Sequence, residues 1–147
     1  MPKNSLDKVL EKIKDYLSYR DHSEYELMSK LIKKFEKDQV IQAITKAKKH
    51  KLLTDPKELS FRTVEGLNKK HKGWLFIKKI LQKKQLPMIP KSEKKEEEKC
   101  KWWLQKKFNS VDFSPNDIKK MYNYLSYRGF ESSTIRKAVS DYIHSSS

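Results

Sequence analysis

The sequence predicts an all-helical protein made of tandem three-helix repeats, and three observations carry that prediction. The pentapeptide Tyr16-Leu17-Ser18-Tyr19-Arg20 returns as Tyr124-Leu125-Ser126-Tyr127-Arg128, and the same shift of 108 residues carries Leu27 onto Ile135 and Leu31 onto Val139. A weaker copy lies between them, with Leu67, Ile77 and Leu81 placed 50 residues after Leu17, Leu27 and Leu31. Only three glycines and five prolines occur in 147 residues, too little turn chemistry for a many-stranded sheet, while Leu, Ile, Lys and Glu recur at helical spacing. Apolar and charged residues each make up 36%, lean material for one deep core, which favours small units in an elongated array.

The elements follow in order. Leu6, Val9, Leu10, Ile13 and Leu17 form one apolar stripe of a first helix that ends near Arg20. Ser23-Glu24-Tyr25-Glu26 reads as a capping box, in which the serine oxygen accepts an amide of the first turn and Glu26 reaches back. Leu27, Leu31 and Phe35 give that helix its inner face. Asp38 is expected to cap a third helix with Val40, Ile41, Ile44 and Ala47 inward, closing the first repeat over residues 1–53.

Thr54-Asp55-Pro56 places a cap residue before a proline at the first helical position and opens the second repeat, residues 54–112. Leu59, Thr63 and Leu67 continue a stripe to a break at Lys69-Lys70-His71-Lys72-Gly73. Trp74, Ile77, Ile80 and Leu81 mark the next helix, which Pro87 and Pro90 end. From Lys91 to Lys101 nearly every residue is charged, which fits a solvated helix or a linker. Trp102, Trp103, Leu104 and Phe108 are expected to anchor this segment on the second repeat. Ser114-Pro115 opens a third repeat, residues 113–147, shortened to two helices. Its stripes are Ile118, Met121, Tyr122, Leu125 and then Ile135, Ala138, Val139, Tyr142, Ile143, with Gly129 as the stop between and a serine tail that should fray.

The net charge of +15 predicts attraction to a polyanion, although a lysine-rich exterior also arises from plain solvation of helix faces. One cysteine excludes an intrachain disulfide, and no signal peptide or membrane-spanning run is evident, so a cytoplasmic monomer is expected. His22, His50, His71 and His144 are scattered, and Cys100 reads as an incidental surface thiol. With no phosphate loop or metal-spaced cluster, no catalytic residue, metal or cofactor is expected.

Several stretches together resemble the RecX family of bacterial regulatory proteins. They are Tyr16 to Arg20 with Ser23-Glu24-Tyr25-Glu26-Leu27 and Lys30-Leu31, then Leu53-Thr54-Asp55, Gly73 with Ile77 and Leu81, and Leu125 to Phe130 with Ile135. The resemblance implies a curved array of three-helix repeats. It also implies a non-enzymatic protein that binds the RecA filament on DNA and inhibits strand exchange and ATP hydrolysis. Departures are Gln85 where a glycine is common, lysine in place of an arginine-rich middle, and the apolar Trp74-Leu75-Phe76. The alternative is a sequence-nonspecific binder of single- or double-stranded DNA acting through its basic surface.

Aligning the repeats brings Arg20, Lys70 and Arg128 into register at the ends of first helices, where a cation either complements the helix dipole or meets a phosphate or carboxylate. A second register joins Lys33 with Lys83, Lys34 with Lys84, Lys78 with Arg136 and Lys79 with Lys137. The densest basic region, Lys69 to Lys91, adds Lys72. Such cations position a protein on a backbone without reading bases. Tyr19, Tyr127 and Trp74 are the candidate aromatic contacts, whereas Tyr16 and Tyr124 are expected in core packing, their rings between repeats and their hydroxyls in water.

Overall fold

The computed structural model describes residues 5–109 and 112–145, so the expected fraying at Ser146 and Ser147 lies outside the described residues. These residues form α1 (Ser5–Tyr19), α2 (Glu24–Leu31), α3 (Lys37–Lys49), α4 (Pro56–Lys69), α5 (Trp74–Lys83), α6 (Glu93–Lys107), α7 (Pro115–Tyr127) and α8 (Ser132–Ser145), with no strand among them. None of these helices is long and apolar enough to cross a membrane. The chain divides into two compact units. One runs to Ser60 and includes Lys83–Pro87; the other comprises Phe61–Gln82 and the chain from Met88 onward.

In the first unit α1, α2 and α3 pack against one another around Val9, Ile13, Leu27, Leu31, Val40, Ala43, Ile44 and Ala47. The capping box forms as expected: Ser23 Oγ accepts the Glu26 amide at 3.1 Å and Glu26 Oε1 accepts the Ser23 amide at 3.0 Å. Helix α2 stops at Leu31, so Phe35 packs on the core from the following turn. Two expectations fail in α3. Glu36 holds the N-cap position without a side-chain bond and Asp38 lies in the first turn. Ile41 faces outward, 42% exposed, because one step of about 100° from Val40 leaves the inner stripe, which Ala43 occupies instead. Asp55 is the side chain that caps α4, its Oδ2 accepting the Lys57 and Glu58 amides at 3.1 and 3.4 Å.

In the second unit α6, α7 and α8 share one core of Cys100, Leu104, Phe108, Met121, Leu125, Phe130, Ile135, Ala138, Val139 and Tyr142. The last bundle therefore has three helices, and its expected shortening does not hold. The charged stretch after Lys91 is helical from Glu93, with Ser92 Oγ accepting the Lys95 amide at 3.3 Å. Leu104 and Phe108 come from that helix into the α7–α8 core, since their i, i+4 spacing makes the one apolar ridge α6 has. Ile77 and Leu81 of α5 are buried but belong to neither cluster.

Two glycines fix how the α5 start meets the α7 end. Gly129 takes φ +88°, as a helix stop requires, and a Cβ there would stand 2.8 Å from Phe76. The Gly73 amide donates to the Arg128 carbonyl at 3.0 Å and the Leu75 amide to the Gly129 carbonyl at 2.8 Å. A Cβ on Gly73 would fall 2.4 Å from the Gly129 carbonyl. No larger residue fits that approach.

Candidate partner-binding surface

Arg20, Lys70 and Arg128 each follow directly on the last residue of a helix, α1, α4 and α7, so the register read from the sequence is a structural one. Their partners differ. Arg20 Nη2 donates to Glu26 Oε2 at 2.6 Å while Nη1 donates to the Asp21 carbonyl at 2.7 Å. Lys84 approaches the other Glu26 oxygen at 3.5 Å. Burial by itself would raise the Glu26 carboxyl. The Arg20 hydrogen bond, the Ser23 amide and the charge of Lys84 outweigh it and hold the carboxyl down at about 2. The same turn buries His22, whose Nδ1 lies 3.0 Å from the Arg20 carbonyl and whose Nε2 lies 2.8 Å from Lys30 Nζ. An ammonium can only donate, so Nε2 is the acceptor and Nδ1 carries the proton. Burial, joined by the charges of Arg20 and Lys30, lowers the ring's pKa against the opposing bond to the Arg20 carbonyl.

Arg128 has no carboxylate. Its guanidinium lies 3.5 Å from the Tyr124 ring centroid and 4.5 Å from that of Trp103, and Nη1 donates to the Tyr124 carbonyl at 3.3 Å. Trp103 in turn donates its Nε1 hydrogen to the His71 carbonyl at 2.6 Å, and Trp102 stacks on the His71 ring at 3.7 Å. The two tryptophans thus do reach the segment after α4, as expected of them, although their helix belongs to the α7–α8 core. Lys70 is exposed, with no ion-pair partner among the described residues.

A buried ion pair in α6 was not legible beforehand. Glu96 and Lys99, with side chains 4% and 6% exposed, bond to each other. Glu96 Oε1 also accepts the Trp74 amide at 2.7 Å, capping α5, and Lys99 Nζ donates to Asn68 Oδ1 and the Lys72 carbonyl, both at 2.7 Å. Every polar atom is used: no buried side-chain N or O among the described residues lacks a partner. Cys100 beside them is fully buried, which corrects its reading as a surface thiol. Burial, then the neighbouring Glu96 charge, pushes its thiol up to about 12, where it is unreactive.

The remaining candidates sort by whether a side chain is engaged. Lys137 pairs with Glu97 at 2.8 Å, Lys72 lies over the Phe76 ring at 5.0 Å, and Lys69 stands 3.9 Å from Glu65. Lys33 and Lys34 sit in the turn after α2, Lys78, Lys79 and Lys83 on α5, and Arg136 on α8. All six are exposed with no ion-pair partner among the described residues. Tyr19 and Tyr127 are exposed, as expected, and Tyr16 and Tyr124 are half-buried against the cores of their own bundles. Trp74 is half-buried at the start of α5. No group of three His, Cys, Asp or Glu side chains among the described residues could hold a metal.

Such a molecule, small three-helix bundles that repeat along the chain, belongs to the class of helical-repeat proteins. Residues 10–46 match the family model for the first three-helix domain of RecX, and residues 95–139 that for its third three-helix domain. The second match spans α6 to α8, in keeping with the three-helix last bundle. The crystal structure of RecX from Lactobacillus salivarius is similar with a TM-score of 0.77 and 21% identity, covering 93% of this chain and 96% of that one. That of a regulatory protein RecX gives 0.72 and 21%, covering 92% and 73%. No curated protein sequence matches. The two family models together cover more than half of the chain, and it belongs to the RecX family, regulatory and non-catalytic proteins that act on RecA.

Proposed function

We propose that this protein binds the RecA–DNA filament and restrains strand exchange and ATP hydrolysis by RecA, as a cytoplasmic monomer without cofactor. The observation that carries this reading is its membership of the RecX family at both ends of the chain. The unpaired cations support it, because repeated lysines suit a repeated acidic or phosphate-bearing surface, and several weak contacts on one chain multiply in effect. With Arg20 and Arg128 held by intrachain partners, the contact falls to Lys78, Lys79, Lys83 and their register mates. In a titration of RecA ATPase on single-stranded DNA, activity should fall at well below one chain per RecA protomer. The charge reversal Lys78→Glu should blunt that fall more than Arg20→Ala does. No effect at equal concentrations would overturn the reading.

The charge of +15 favours a second reading, in which the basic surface binds DNA without RecA. It requires log affinity for single strands to fall against log salt with a slope of about −0.7 per phosphate neutralised. A shallow slope with weak binding would reject it.

A further inference from the structure

The outer face of α5 brings two exposed apolar side chains and two unpaired lysines together on one helix. Ile77 and Leu81 turn inward and are buried, which directs Leu75, Phe76 and Lys79 outward, with Lys78 at the margin. Leu75 and Phe76 are large apolar side chains, 41% and 37% exposed, on adjacent positions of the first turn. Their backbone is fixed by the bond from the Leu75 amide to Gly129 and by the contact of Phe76 with that glycine, so the pair is held out on a rigid element. Lys72 lies over the Phe76 ring, while Lys78 and Lys79 have no carboxylate partner among the described residues. An apolar centre rimmed by cations is the anatomy of a protein interface. A nucleic acid would gain from the lysines and could stack a base on Phe76, but it would leave the aliphatic Leu75 with nothing to bury against.

We infer that Leu75, Phe76, Lys78 and Lys79 form a docking face for an acidic segment of a partner protein, one that presents an apolar side chain between carboxylates. The inference rests on the reading above, in which RecA is that partner, and it assigns the α5 face to protein and not to DNA. Phe76 is the anchor, since an aromatic ring entering a pocket yields more on burial than the surrounding charges do.

Binding of the full-length chain to RecA, and separately to a labelled oligothymidylate, tests it with two double variants. Leu75→Ser/Phe76→Ser should weaken RecA binding by about 30-fold, the loss of one anchoring aromatic, and leave oligothymidylate affinity within about twofold. Lys78→Gln/Lys79→Gln, at exposed positions outside the core, should weaken RecA binding by about tenfold as two flanking charge contacts are lost. If the parent chain binds RecA and both variants match it, the α5 face is wrong while the proposed function stands. Equal losses toward RecA and the oligonucleotide would make this a nucleic-acid surface and overturn the assignment. A parent chain that fails to bind RecA would sink the proposed function together with it.

Discussion

The two copies of Tyr-Leu-Ser-Tyr-Arg place their first four residues alike, with Leu17 half-buried and Leu125 fully buried, and part at the fifth. In each, the first tyrosine is half-buried and packs on its own bundle, the second is exposed, and the arginine follows directly on the helix end. Arg20 then meets Glu26, whereas the same shift that relates the copies puts Thr134 where a carboxylate would be needed for Arg128. The nearest acid downstream, Glu131, is taken by Lys91. Arg128 turns instead to the rings of Trp103 and Tyr124. Repetition has therefore preserved backbone register and apolar positions but not polar partners. The first bundle is tied by a half-exposed ion pair at its rim, and the second by a buried pair and a cation between aromatic rings.

The sharpest way to break that comparison is to attack the buried pair. Lys99→Met leaves Glu96 charged, 4% exposed and still bound to the Trp74 amide, and should cost about 3–5 kcal/mol in urea unfolding. Adding Glu96→Gln should recover much of the loss, because the uncompensated charge is removed. A cost for Lys99→Met near that of a surface lysine would show that the two bundles are held in the same way.

The arginines come next. Arg128→Ala removes a half-buried cation–aromatic contact and should cost about 1–2 kcal/mol, less dependent on salt than an ion pair. Arg20→Ala loosens a half-exposed ion pair and should cost about 1 kcal/mol at low salt, less as salt is raised. Of the two arginines, only Arg20 has a carboxylate partner and should carry an acid-sensitive contribution. The folded Glu26 carboxyl lies below its ordinary value of 4.5, at about 2, so its contribution is complete above the ordinary value and is lost as pH falls through the lower one. In Arg20→Ala the midpoint of urea unfolding should change less between pH 6 and pH 3 than in the parent. If Arg128→Ala alters that pH dependence as much, the division of roles between the two arginines fails.

Helices and helix ends were legible because they depend on neighbours in sequence. The Ser23 box, the Asp55-Pro56 start, the Gly129 stop and the apolar stripes of α1, α7 and α8 all rest on local spacing, and all appear in the structure. What could not be read was which helix a charged segment packs against. Glu96 and Lys99 sit in a run of Lys and Glu whose pattern matches a solvated face, and their burial depends on Asn68, Lys72 and Trp74, at least 22 residues away. A weak signal existed: Cys100, Leu104 and Phe108 follow at steps of four, an apolar ridge too regular for a linker. For the candidate site the register of cations was legible and their engagement was not, since no spacing rule tells Arg20, which follows the end of α1 and lies beyond its last acid, Asp15, that Glu26 will fold back to it.

The smallest expected effect concerns the position where the copies agree. Tyr19 and Tyr127 are 87% and 89% exposed, and neither ring packs into its bundle's core, so the sequence and the structure assign them alike to the surface. Tyr19→Ala and Tyr127→Ala should each change stability by less than about 0.5 kcal/mol, as measured by urea unfolding of the separate variants. Equal and small costs would mean that the repeat retains these rings for something outside the chain, because neither fold needs them. A loss above about 1 kcal/mol in one copy alone would extend the divergence of the arginines back by one residue, and would leave only the first three residues of the motif equivalent.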